Sequence, residues 1–95
     1  MDNNNYKDLT IVVVSYAASN NVLRLLKKIP QDIKVIIVEA SKDQKLKKKV
    51  SENFSNAKVV IPPKNKGNGA GINYGYKYVK TNFFAYIDCD VYFSL

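Results

Sequence analysis

Histidine is absent from this 95-residue chain, and cysteine occurs once, at Cys89. Without histidine there is no zinc site of the usual kind and no His-activated nucleophile, and a lone cysteine cannot close an internal disulfide. Any bound metal must therefore be held by oxygen ligands. Acidic residues are also scarce, 8 against 15 Lys and Arg, which leaves a formal charge of +7. Long apolar runs are missing as well: no stretch approaches the roughly 20 residues that a membrane-spanning helix requires. The N-terminal MDNNNYKD has neither the basic start nor the apolar centre of a signal peptide, so the expected location is the cytoplasm. No internal repeat and no low-complexity linker divides the chain. Its 46% hydrophobic and 24% charged residues describe one ordinary globular domain with a modest core.

The positive charge invites a polyanion partner, since clustered lysines attract nucleic acid or anionic membrane through long-range steering. Much of it, however, sits in the run SKDQKLKKKVSENF, where Leu46, Val50 and Phe54 recur every four residues. That spacing places the lysines on the solvated side of an amphipathic helix. Nucleic acid is not the expected partner, although a basic surface suits a protein that handles phosphates.

Four β-branched or aromatic runs punctuate the chain: LTIVVVSY from Leu9, IKVIIVE from Ile33 to Glu39, AKVVI from Ala57 to Ile61, and FFAYID from Phe83 to Asp88. Runs that are apolar on both alternations indicate strands covered on both faces, as in a parallel sheet. Between the first two, Ser19 or Asn20 is placed to cap a helix whose stripe is Val22, Leu23, Leu25, Leu26 and Ile29, with Pro30 as its stop. Between the second and third, Ser41 and Gln44 have the spacing of a capping box for the lysine-rich helix. After Pro62-Pro63, residues Ala70 to Lys80 read as a third helix despite Gly71 and Gly75. The order β-α-β-α-β-α-β predicts an α/β fold with a doubly wound, mostly parallel sheet whose ligands lie beyond the carboxyl ends of the strands. Residues 1–8 read as a flexible N-terminus and residues 9–95 as the domain.

The polar residues of greatest interest fall on those carboxyl ends. Ser15-Tyr16 closes the first strand, Glu39 the second, an Asn/Gly-rich loop follows the third, and Asp88-Cys89-Asp90 closes the fourth. The GNGAG at 67–71 is not a dinucleotide fingerprint, which needs G-x-G-x-x-G after the first strand, nor a P-loop, which needs a following Gly-Lys-Ser/Thr. Its plainer reading is conformational: Gly67 and Gly69 turn the chain, and Gly71 and Gly75 let a helix lie close to the sheet. Two acids ending a buried strand need cations or donors. A hard divalent ion is held by few carboxylates when substrate phosphates supply its other oxygens, whereas the plainer alternative is a solvated strand end paired with nearby lysines. Cys89 reads as a small buried thiol.

In order and spacing these elements resemble the N-terminal half of the GT-A-fold, family-2 inverting glycosyltransferases. Val14-Ser15-Tyr16-Ala17 stands where that family has a Ser/Thr-Tyr-Asn element, and Glu39 where it has an acid after the second strand. Asn65, Gly67, Asn73 and Gly75 match N-x-G-x(5)-N-x-G, and Asp88-Cys89-Asp90 matches the aspartate motif closing the fourth strand. The glycine-rich NKGNGAGINYG is most similar to rhamnosyltransferase-like members, and the likeness extends from about Leu9 to Val91.

The resemblance implies a Rossmann-like GT-A half-domain that binds a nucleoside-diphosphate sugar and acts with Mg²⁺ or Mn²⁺ on an unidentified glycan or lipid-linked acceptor. It assigns Ser15, Tyr16 and Glu39 to the base and ribose, Asp88 to the ribose and sugar, and Asp90 to the metal. Asn73 and Gly67 would shape the donor pocket. Ala17 stands in place of the family's asparagine, and Glu39-Ala40 in place of Asp-Asp or Asp-Asn, so the identity of the base is left open. In the family the general base and the acceptor surface follow the aspartate motif. The expectation is therefore a donor-binding half whose catalytic base is not in this chain, with apolar surface left to cover by self-association, and with peripheral membrane attachment also open. Two other classes compete: a non-catalytic binding module of the same fold, and a basic nucleic-acid-binding domain using the lysine helix.

Overall fold

A computed structural model of the chain describes residues 8–63 and 68–89. Its elements follow the alternating order: β1 (Leu9–Ser15), α1 (Ser19–Lys28), β2 (Lys34–Glu39), α2 (Gln44–Asn53), β3 (Ala57–Val60), α3 (Asn68–Tyr76) and β4 (Phe83–Asp88). The four strands form one sheet in the order β3-β2-β1-β4, with every neighbouring pair parallel. The doubly wound α/β reading holds.

Alternation along the strands divides the core into two layers. Ile11, Val13, Val35, Ile37 and Val59 face α1 and α2, where Val22, Leu25, Leu26, Ile29, Leu46 and Val50 close over them. Val12, Val14, Ile36, Val38 and Val60 face the other way, against Ile72, Tyr74, Tyr78 and Val79 on and after α3. Both faces of β1 and β2 are thus covered, which is why their sequences are unbroken β-branched runs. On α2 the expected pattern is present: Leu46 and Val50 are buried and Lys45, Lys47, Lys48 and Lys49 are exposed.

Helix starts differ from expectation. α1 begins at Ser19 itself, after an Ala18 N-cap with no side-chain hydrogen bond. The start of α2 is shifted too: Asp43, not Ser41, is its cap, and the Asp43 carboxylate accepts the Leu46 amide at 3.1 Å. Such a cap contributes about 1 kcal/mol. Ser41 is not available for it because its hydroxyl is committed to Glu39. α3 starts two residues earlier than expected, at Asn68, so Gly69 is helical and does not serve as a turn. Low helix propensity at Gly69, Gly71 and Gly75 is overridden by packing on the sheet. Asp8, placed by the sequence in a flexible N-terminus, is tied by both carboxylate oxygens, which accept the Asn82 backbone amide and side-chain amide at 3.0 Å each.

Candidate functional site

Chain direction locates the site. From β1 the path moves through β2 to the β3 edge, then α3 carries it back across the opposite face to β4 on the far side of β1. The order therefore reverses at β1, and in open α/β sheets the crevice beyond the carboxyl ends at such a point is where ligands bind. Strand register puts the predicted residues on that one rim: Ser15 pairs with Glu39, and Val14 pairs with Asp88. The N-terminal half of α3 lies over the same end, because a Cβ on Gly71 would stand 3.1 Å from both γ-methyl groups of Val14.

Within the rim, Glu39 is the most constrained polar residue, with 0% of its surface exposed. Ser15 Oγ donates to its Oε1 at 3.3 Å, while Ser41 Oγ at 2.5 Å and the Asp43 backbone amide at 3.0 Å donate to Oε2. A buried carboxylate is tolerated only when its oxygens are matched in this way. Among the described residues no buried side-chain nitrogen or oxygen lacks a partner. Ser41 Oγ in turn accepts the Ala17 backbone amide at 3.0 Å, and the Ala40 amide donates to the Ser15 carbonyl at 2.8 Å. Ala17 and Lys42 both take left-handed backbone conformations, at φ 52° and 64°. For residues with a side chain this costs about 1 to 2 kcal/mol each, so the surrounding hydrogen bonds must hold the two turns in place.

The predicted residues therefore separate by position. Ser15 and Glu39 are buried at the base of the rim, whereas Tyr16 stands out from it, 64% exposed. Asn73 lies on the exposed side of α3. Asp88 ends β4 beside Val14 in register; Gly67, Asn65 and Asp90 lie outside the described residues. Cys89 is buried at the edge of the α1/α2 layer, as expected of a small thiol. Sequence reasoning missed Ser41 and Asp43 as parts of this network. Their spacing of two and four residues beyond Glu39 was the available signal, but Ser41 was read with Gln44 as a capping box and Asp43 was not read at all. An open cleft of about 470 Å³ between α2 and α3, lined in part by Gln44, Lys47, Lys58, Tyr74 and Tyr78, gathers none of the predicted site residues.

Residues 10–94 match the family model described as glycosyl transferase family 2. The chain belongs to this family. Among solved structures, the family 2 chain superposes on a mannosyltransferase, PcManGT from Pyrobaculum calidifontis in complex with GDP-Man and Mn²⁺, with a TM-score of 0.76 at 18% identity. That alignment covers 87% of this chain and 27% of the mannosyltransferase, and the likeness shows the shared fold. S. aureus TarS, residues 1–349, superposes with a TM-score of 0.70 at 26% identity, over 92% of this chain and 28% of TarS. The chain thus spans little more than a quarter of the length of either structure. No curated protein matches it significantly. Its sheet and helices are those of a Rossmann-like GT-A half-domain of a family 2 glycosyltransferase.

The described residues of the rim do not form a metal cage by themselves. Among the described residues no three acidic or cysteine side chains gather into a cage, and both oxygens of Glu39 are already engaged. Mg²⁺ or Mn²⁺ is commonly held by one or two carboxylates together with substrate phosphates, and Asp88 and Asp90 are the acids the sequence offers for that role.

Proposed function

We propose that this chain is the donor-binding region of a cytoplasmic family 2 glycosyltransferase, moving a sugar from a nucleoside diphosphate to a glycan or lipid-linked acceptor. The observation that carries the proposal is the convergence of Ser15, Glu39 and Asp88 at the carboxyl ends of three adjacent strands, at the point where strand order reverses. Tyr16, exposed beside them, offers an aromatic face and a hydroxyl to the base and ribose. Ser15 and Glu39 underlie that contact, Asp88 serves the ribose and sugar, and Gly67 and Asn73 border the donor. Asp90 holds Mg²⁺ or Mn²⁺. Bound there, the ion supplies charge stabilisation to the departing diphosphate. GDP-Man and Mn²⁺ together in the Pyrobaculum calidifontis mannosyltransferase support a metal-dependent nucleotide-sugar donor. The basic surface, +7 overall, favours the approach of such an anion.

Calorimetric titration with UDP and GDP, with and without Mn²⁺, tests this. Binding that requires the metal and is lost in Asp90→Ala is expected. Absence of heat under every condition would overturn the reading, and salt-sensitive binding of random oligonucleotides that Lys47→Ala and Lys48→Ala weaken would replace it with the nucleic-acid alternative.

A further inference from the structure

We infer that Ser41 and Glu39 are positioning residues that set the nucleoside end of the site without touching the ligand. The inference rests on the donor-binding reading above and adds to it how the exposed Tyr16 is held. Three observations carry it. Glu39 has no exposed surface, so a base or ribose cannot reach its carboxylate in this arrangement. Its oxygens are matched from within the protein, by Ser15 on β1, by Ser41 after β2, and by the amide of Asp43 at the cap of α2. Ser41 then passes the constraint across to the next loop by accepting the amide of Ala17, the residue after Tyr16, which sits in a left-handed turn.

The result is a chain of hydrogen bonds from the α2 N-terminus through Glu39 and Ser41 to the turn that carries Tyr16. Ser41 is its central link, because one hydroxyl group both donates to a carboxylate and accepts from a backbone amide. An uncapped turn at a non-glycine left-handed residue relaxes readily to the β or α region. Without the Ser41 oxygen the Ala17 amide loses the acceptor that holds it, and Tyr16 is free to leave the pose in which it meets a nucleoside. Specificity for the base then comes from the shape and placement of Tyr16 and its turn, not from a carboxylate reading the base edge.

The test compares wild type, Ser41→Ala and Ser41→Thr in the intact protein, by titration with UDP and GDP in Mn²⁺ and with inorganic pyrophosphate, which lacks the nucleoside. Ser41→Ala is expected to lose roughly tenfold in nucleoside diphosphate affinity, the usual effect of removing a hydrogen bond to a charged group. Ser41→Thr restores most of it, and pyrophosphate affinity is unchanged in both variants. Equal loss for pyrophosphate and nucleotide, or no loss for either, overturns the role. Hydrogen exchange at the Ala17 amide separates this from failure of the donor reading, since it needs no ligand. Faster exchange in Ser41→Ala with recovery in Ser41→Thr supports the latch, and exchange unaffected by Ser41→Ala removes it. A wild type that binds no nucleoside diphosphate overturns the donor reading and the positioning role with it, while the Ala17 amide still reports whether the latch exists.

Discussion

A methyl group added at Gly75 would lie 2.8 Å from Val12 Cγ1 and from Val38 Cγ2, two branched side chains in the centre of the sheet. Those methyls are held by fixed β-branched rotamers on β1 and β2, so they cannot swing away. Two effects of Gly75→Ala oppose each other. Helix propensity favours alanine by about 1 kcal/mol, while overpacking a dense core costs about 1 to 3 kcal/mol. The contact is close enough on two sides that the second wins, and urea denaturation should show Gly75→Ala less stable than wild type by about 1 kcal/mol or more. At Gly71 the added Cβ meets Val14 alone, at 3.1 Å. There the two effects nearly cancel, and Gly71→Ala should unfold within about 0.5 kcal/mol of wild type. The glycines were visible in the sequence, and their role as points of close approach was readable. Which of them is the tighter was not, because that depends on the register of α3 over two strands. The same holds for Glu39: its acidity was evident, but its complete burial comes from Ser41 and Asp43 folding over it.

At the scale of the element, α3 is the helix whose sequence was hardest to read. It buries glycines against the sheet, and Tyr74 on it and Tyr78 just after it lie toward the β3 edge. Tyr74 donates to the Ile61 carbonyl at 3.4 Å and receives the Tyr78 hydroxyl at 3.5 Å, with Lys77 and Lys58 over the two rings. The Tyr74 hydroxyl holds its proton above the ordinary tyrosine value of 10.0, because of its hydrogen bond with Tyr78, because desolvation disfavours a phenolate, and because a charged Tyr78 repels a second one. The sign follows from proton uptake. Above about pH 10 the unfolded chain has lost a proton that the folded chain keeps, so stability falls as pH rises further. The contribution is complete below that pH and is lost as the pH passes the raised folded value. Thermal unfolding followed from pH 9 to 11.5 should therefore show an alkaline decline that is shallower in Tyr74→Phe. A decline of equal slope in both proteins would remove Tyr74 as its source.

At the scale of the whole molecule, the sheet formed by the described residues has two edges of different character. β3 carries Lys58, a charged residue of the kind that discourages edge-to-edge pairing, whereas β4 reads FFAYID and presents Phe83 and Phe84 at 65% and 42% exposure. An edge strand with exposed aromatic side chains is a site of association unless covered. Phe83→Lys should raise solubility and suppress concentration-dependent association in sedimentation velocity, while the same change at Lys58's edge has nothing to correct. Element order, parallel pairing and the placing of polar residues on one rim were determined by the sequence alone, since β-branched runs, apolar spacing and breaker residues are local properties that act within a few residues. Only the tertiary structure decided that β4 returns to the far side of β1, that Glu39 is sealed beneath the rim while Tyr16 stands out of it, and that Ser41 links the two loops. These depend on which residues meet across long stretches of chain, 24 positions apart for Ser15 with Glu39 and Ala17 with Ser41 and farther for β1 with β4, and no local pattern encodes that meeting: the network forms because a carboxylate driven out of water by the surrounding core must find every donor the fold brings within reach.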